Sequence, residues 1–173
     1  KVVGTPGQQL QDGDYEIVSG TSWYWWNAHG RTDQPYVYAF DTDEVFNGQL
    51  NYADPDKLPH LSGWPRPTDY PGFSSPALAD LDDDGDLEIV IGTSHPDIQN
   101  GAIQGDGSVY AWHHTGQAVS GWPVRPKNWD NQDGPIFSSP TVADIDGDGG
   151  LEVLFSMLWD VYVYNANRTQ QHR

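Results

Sequence analysis

The sequence has no cysteine, which excludes disulfides and thiolate metal sites at the outset. Basic residues are scarce: 8 Lys and Arg stand against 25 Asp and Glu, for a formal net charge of −17. So acidic a surface repels nucleic acid and anionic membranes and attracts cations. No apolar run approaches the roughly 18 residues that span a membrane as a helix, so no membrane insertion is expected. No segment shows sustained helical periodicity either. No signal peptide is visible in the opening Lys1-Val2-Val3-Gly4, which fits a mature product or a fragment. The sequon Asn167-Arg168-Thr169 is too short a pattern to carry weight.

What the chain does have is glycine (19), proline (13) and aromatics (13%), a mixture suited to short strands joined by tight turns. It also repeats itself. Residues 73–92 read FSSPALADLDDDGDLEIVIG, and 64 residues on, 137–156 read FSSPTVADIDGDGGLEVLFS. An earlier, decayed copy reads DGDYEIVSGTS at 12–22, against DGDLEIVIGTS at 84–94. Each copy leads to an aromatic strand: VYAF at 37–40, VYAW at 109–112, VYVY at 161–164. Gly63-Trp64-Pro65 and Gly121-Trp122-Pro123 each precede an FSSP, and both tryptophans are expected to pack between units. The unit is thus an FSSP strand, an Asp-rich loop, an E-I-V strand, a variable loop and a V-Y-A-W strand. About four strands per sequential repeat predict an all-β fold of β-propeller blades, spanning roughly 1–65, 66–123 and 124–173 within a single segment, 1–173. A β-solenoid is the second choice. Three units fall short of the roughly 4–8 blades of a closed ring, so the rest is expected from a longer parent propeller or from self-association.

The Asp-rich loops carry the clearest chemistry. Asp80-Leu81-Asp82-Asp83-Asp84-Gly85-Asp86-Leu87-Glu88 and Asp144-Ile145-Asp146-Gly147-Asp148-Gly149-Gly150-Leu151-Glu152 both fit D-x-D-x-D-G-x-x-E. Calcium seeks six to eight oxygens, and carboxylates at positions 1, 3 and 5 converge if the chain curls at the Gly of position 6. A carbonyl at position 7 (Asp86, Gly150) and the acid at position 9 can complete the shell. An EF-hand is excluded, because its Glu at position 12 would fall on Ile91 and Phe155. Magnesium fits less well, since it demands stricter octahedral geometry. The first copy places Gln8, Leu10, Asp12, Gly13 and Glu16 at the matching positions and is expected to be empty.

With these loops the units resemble the FG-GAP (integrin-α-like, VCBS-type) propeller repeat over about residues 12 to 165. The resemblance implies two Ca2+ sites, with ligands Asp80, Asp82, Asp84, the Asp86 carbonyl and Glu88, then Asp144, Asp146, Asp148, the Gly150 carbonyl and Glu152. Position 9 departs from the usual Asp, being one methylene longer. The resemblance also implies an extracellular or cell-surface location.

Trp23-Tyr24-Trp25-Trp26 stands out as a candidate ligand-binding platform for sugar rings, with packing against a neighbouring blade or a subunit contact the favoured account. The loop from Ser94 to Gly107 offers only His95, Asp97 and Asp106, and its Gly and Asn content suggests mobility. His113 and His114 read as turn residues, with no acid placed near them by the sequence. No catalytic motif is visible. Three functions follow as expectations: a non-enzymatic calcium-binding module for adhesion, ligand binding or assembly, with a glycan or protein ligand; a lectin-like module using Trp23 to Trp26; and a fragment of a polysaccharide lyase or hydrolase.

Overall fold

The computed structural model describes residues 17–20, 35–40, 58–99, 102–128, 130–166 and 171–172. The decayed loop copy, the Trp23 to Trp26 platform and the sequon lie outside the described residues. Among the described residues there is no helix, and they form ten strands. These are β1 (Ile17–Gly20), β2 (Tyr36–Phe40), β3 (Arg66–Pro67), β4 (Ala77–Ala79), β5 (Glu88–Gln99), β6 (Ala102–Trp112), β7 (Thr141–Ala143), β8 (Glu152–Met157), β9 (Asp160–Asn165) and β10 (Gln171–His172).

They build three antiparallel sheets in chain order, β1-β2-β3, β4-β5-β6 and β10-β9-β8-β7, none closed into a barrel. The sequence repeat is a repeat of register. Ala77, Leu78 and Ala79 pair with Val90, Ile89 and Glu88, and 64 residues later Thr141, Val142 and Ala143 pair with Leu154, Val153 and Glu152. Val37 faces Arg66 just after one Gly-Trp-Pro, and Val109 bridges Val124 just after the other. The last pairing of the first two sheets therefore falls one or two residues past the repeat boundaries at 65 and 123.

FSSP was expected to be a strand, but the strands begin only after its proline. Its first serine instead ties the segment to its own sheet. Ser74 Oγ donates to the Gly92 carbonyl (3.0 Å) and accepts from the Gly92 amide (2.8 Å). Ser138 does the same with Ser156, at 3.3 and 2.7 Å. The Ser75 amide donates to Ser139 Oγ (3.0 Å), and Phe73 meets Phe137 edge-on, so the two FSSP segments also touch each other.

The segment 94–107, expected to be a mobile loop, is mostly the paired arm of β5 and β6, with Ser94 opposite Gly107 and Ile98 opposite Ile103. Its Gly107 serves close approach. A Cβ on Gly107 would sit 2.8 Å from the Thr93 carbonyl oxygen and 2.9 Å from both the Gly134 carbonyl oxygen and Ile136.

Consecutive sheets stack through the same positions twice. Between the first and second, Val37, Ala39, Leu61 and Trp64 join Ile89, Ile91, Tyr110 and Trp112 in one buried cluster. Between the second and third, Val109, Ala111, Val119 and Trp122 join Val153, Phe155, Tyr162 and Tyr164. The tryptophans do pack between units as expected, and each is pinned across the interface. Trp64 Nε1 donates to the His114 carbonyl (2.8 Å) and Trp122 Nε1 to the Ala166 carbonyl (2.9 Å). Trp64 meets Trp112 edge-on at 5.8 Å between ring centres, and Trp122 meets Tyr164 at a tilt, at 6.3 Å. Gly63, at φ 90°, must be glycine: a Cβ there would lie 2.0 Å from the Thr115 carbonyl oxygen of the next unit.

Replacing Trp122 by Ala is expected to cost about 3–5 kcal/mol, the range for deleting a buried aromatic. Trp122→Phe should cost less but still strand the Ala166 carbonyl. Exposed Trp159→Ala should stay within about 0.5 kcal/mol. Urea denaturation of the three variants measures the order, and equal losses at Trp122 and Trp159 would contradict the packing described.

Candidate metal centres

Both Asp-rich loops link a short strand to a long one: β4 to β5, and β7 to β8. Each curls because its positions 4 and 6 adopt left-handed backbone. In the first these are Asp83 (φ 59°) and Gly85 (φ 94°); in the second, Gly147 (φ 77°) and Gly149 (φ 91°). Asp tolerates this region better than most side chains, which is why the first loop manages without a second glycine.

The carboxylates organise the curl. Asp80 accepts from the Asp84 amide at Oδ1 (3.1 Å) and from the Gly85 amide at Oδ2 (3.0 Å). Asp144 likewise accepts from Gly147 (2.7 Å) and Gly149 (3.1 Å). Asp84 accepts from the Asp86 amide (2.9 Å) and Asp148 from the Gly150 amide (2.8 Å). The position-9 glutamates turn back to position 2. Glu88 Oε2 accepts from the Leu81 amide (2.7 Å), and Glu152 Oε2 from the Ile145 amide (2.9 Å). Both glutamates are buried.

The result is crowded negative charge. Asp80, Asp82 and Asp84 each bring one oxygen within 4.8 Å of the others, and so do Asp144, Asp146 and Glu152. Either acidic cluster could hold a metal ion. Glu152 Oε1 is buried without a hydrogen-bond partner, the kind of atom a cation would satisfy. The donor set is all oxygen, which suits a hard cation.

Not every expected ligand falls within these two trios. In the first loop Glu88 groups with Asp82 and His113 instead of with Asp80 and Asp84. In the second, Asp148 lies outside the trio that includes Glu152. The Asp86 side chain is buried and turned to His114, with Oδ2 3.3 Å from Nδ1, leaving its carbonyl for the loop. Gly150 can contribute only its carbonyl.

Two histidines gain acids that the sequence did not place beside them. They do form a turn: the His113 amide donates to the Gln117 carbonyl (2.9 Å), and the Gly116 amide to the His113 carbonyl (2.8 Å). His113 Nδ1 also lies 3.2 Å from Glu88 Oε1 and 3.9 Å from Asp82 Oδ2. These pairs are 25 or more residues apart in the chain, and only the β5–β6 register, with Ile89 opposite Trp112, brings them together. In the third sheet Asn165 sits opposite Glu152 at the corresponding place. A cleft of about 760 Å³ is lined by both loops, including Asp80, Asp82 and Asp83 of the first and Asp148, Gly149 and Gly150 of the second.

A second polar group lies on the β5–β6 arm. Tyr70 donates to Asp106 Oδ2 (3.0 Å), Arg125 pairs with Asp69, and the Arg125 guanidinium lies 5.7 Å over the Tyr70 ring. The Asp69 amide donates to the Tyr110 hydroxyl (2.9 Å), and burial pushes that phenol up to about 12. These hydroxyls and charges are engaged with one another, so the group braces the arm against the linkers. Sequence reasoning missed it because Asp69, Tyr70 and Arg125 sit in connecting segments with no motif.

Burial raises the pKa of Glu88, and the nearby Asp82 charge adds to the effect; the Leu81 amide and His113 oppose it. A group raised in the fold stabilises it while protonated, and that contribution is lost as pH rises through the folded pKa. Metal-free wild type should therefore lose stability relative to Glu88→Gln as pH rises from the ordinary glutamate range through the raised folded pKa. Urea denaturation across that range checks it, and parallel curves would contradict the burial argument. The chain matches no protein family, no curated protein and no solved structure.

Proposed function

We propose that this chain is a calcium-stabilised, non-enzymatic segment of an extracellular or cell-surface β-propeller of the FG-GAP or VCBS type, serving adhesion, ligand binding or assembly. One observation carries the reading: two loops at the same place in successive sheets close in the same way around clustered carboxylates. Holding three carboxylate oxygens within 4.8 Å of one another is unfavourable unless a cation neutralises them. That the arrangement occurs twice in one register argues for a purpose beyond solubility.

Calcium suits the loops better than its rivals. In each loop, side-chain oxygens and one backbone carbonyl would give a flexible, all-oxygen shell, whereas magnesium would need tighter octahedral geometry. The role is structural. Each loop ties the first strand of a sheet to the second, and the glutamate that closes it is buried beneath the sheet stack. Extracellular calcium would keep such sites filled and link binding to folding.

Calorimetric titration should give two calcium ions per chain, and Asp82→Asn or Asp146→Asn should each remove one. Saturating calcium at about 100 times Kd should add roughly 2.7 kcal/mol per site, seen as a higher melting temperature that chelation reverses. An unchanged melt in chelator, with no calcium found by elemental analysis, would sink the reading.

A further inference from the structure

The two stacked interfaces use a constant pattern, and among the described residues the third sheet displays one half of it without a partner. On β9, Tyr162 and Tyr164 are buried toward the second sheet, so Val161 and Val163 point the other way. Their register identifies them. Val109 pairs with Gly92 and Ala111 with Val90; Val161 pairs with Ser156 and Val163 with Leu154, the residues 64 positions on. Val161 and Val163 therefore correspond to Val109 and Ala111, and to Val37 and Ala39, which bury against the next sheet in both existing interfaces.

Exposure shows the difference. Val37 and Val109 are 0% exposed, whereas Val161 is 58% exposed. Leu81 of the first acidic loop is 8% exposed within the second interface, whereas Ile145, its counterpart, is 50% exposed. Val90 is fully buried and Leu154 only half-buried. Aliphatic side chains grouped this way on one sheet face mark a contact surface.

We infer that this face of the third sheet docks one further sheet of the same repeat, stacked next in series. Its occupant would present an aliphatic-x-aliphatic or aliphatic-x-Phe strand beside a Tyr-x-aromatic strand, as Ile89-x-Ile91 with Tyr110-x-Trp112 and Val153-x-Phe155 with Tyr162-x-Tyr164 already do. The inference deepens the assembly part of the proposed function. A second copy of this chain fits poorly. The matching face of its first sheet is taken, since Tyr38 and Phe40 stack in parallel and are 3% and 9% exposed. Like-with-like pairing would set Asp144, Asp146 and Asp148 of one copy near those of another, on chains of net charge −17.

The test appends a second copy of residues 124–173 to the full chain and follows side-chain burial by hydroxyl-radical footprinting at fixed calcium. Oxidation at Val161 should fall several-fold against the unextended chain, and the melting temperature should rise. Val161→Asp should abolish the rise in the extended chain and leave the unextended melt unchanged; Val161→Thr, close in size, should give an intermediate loss. Unchanged reactivity at Val161, or an appended unit without protected amides, would overturn the inference. So would an unextended chain that Val161→Asp destabilises as much as the extended one, because its own residues would then already cover the face. A wild-type dimer in ultracentrifugation that Val161→Asp dissociates would assign the face to a second copy instead. None of these readouts depends on the metal, so the calcium reading stands or falls separately.

Discussion

Burial of apolar faces between consecutive sheets supports everything else in this molecule. A small antiparallel sheet in water is marginal on its own and needs a covered face to persist. Here the middle sheet is covered on both, by aliphatic and aromatic residues from each neighbour. A buried indole removes roughly 200 Å² from water, on the order of 5 kcal/mol at about 25 cal/mol per Å². Its one hydrogen bond contributes about 1 kcal/mol. Packing area therefore supplies the strength of the stack. The Trp64 and Trp122 N–H groups, each fixed to a carbonyl of the following unit, set its position.

The acidic loops inherit their geometry from that stack. Each leaves a strand whose register is fixed by pairing and enters another whose first residue is a buried glutamate. The glutamate's oxygen on the position-2 amide makes the loop part of the sheet instead of an appendage. The crowded carboxylates are then held together by the fold, and local backbone amides offset only part of their repulsion. This places a demand for positive charge at defined points, and it is the basis of the calcium proposal.

Much of the fold was legible because the sequence repeats with its spacing intact. The segments around Ile89, Val153, Val109 and Val161 read as strands and are strands, and the Gly-Trp-Pro tryptophans read as packing between units and do so. The parts that misled did so for physical reasons. FSSP looked like a strand, but its first serine hydrogen-bonds to the backbone of β5 or β8, and strand pairing begins only after the proline. The glycines of 94–107 looked like flexibility, whereas Gly107 is required by neighbouring backbone. The acids beside His113 and His114 were invisible because strand register, not sequence distance, brings them near. The clustering of the acids at positions 1 and 3 follows from their spacing in the loop, while the grouping of Glu88 with His113 depended on which way a buried side chain turned.

The Glu–amide tie reaches beyond the loop it closes. Glu88 holds the amide of Leu81, whose side chain belongs to the core between the second and third sheets. Glu152 holds the amide of Ile145, whose side chain stands half in solvent. The same nine-residue loop is thus a rivet through the core in one place and a hook at its surface in the other. Opening the first to exchange a bound cation requires the stacked core to loosen, whereas opening the second disturbs only its rim. In the proposed calcium-bound form the two sites would differ in exchange rate for as long as the third sheet's outer face is bare, the inner one slow and the outer one fast.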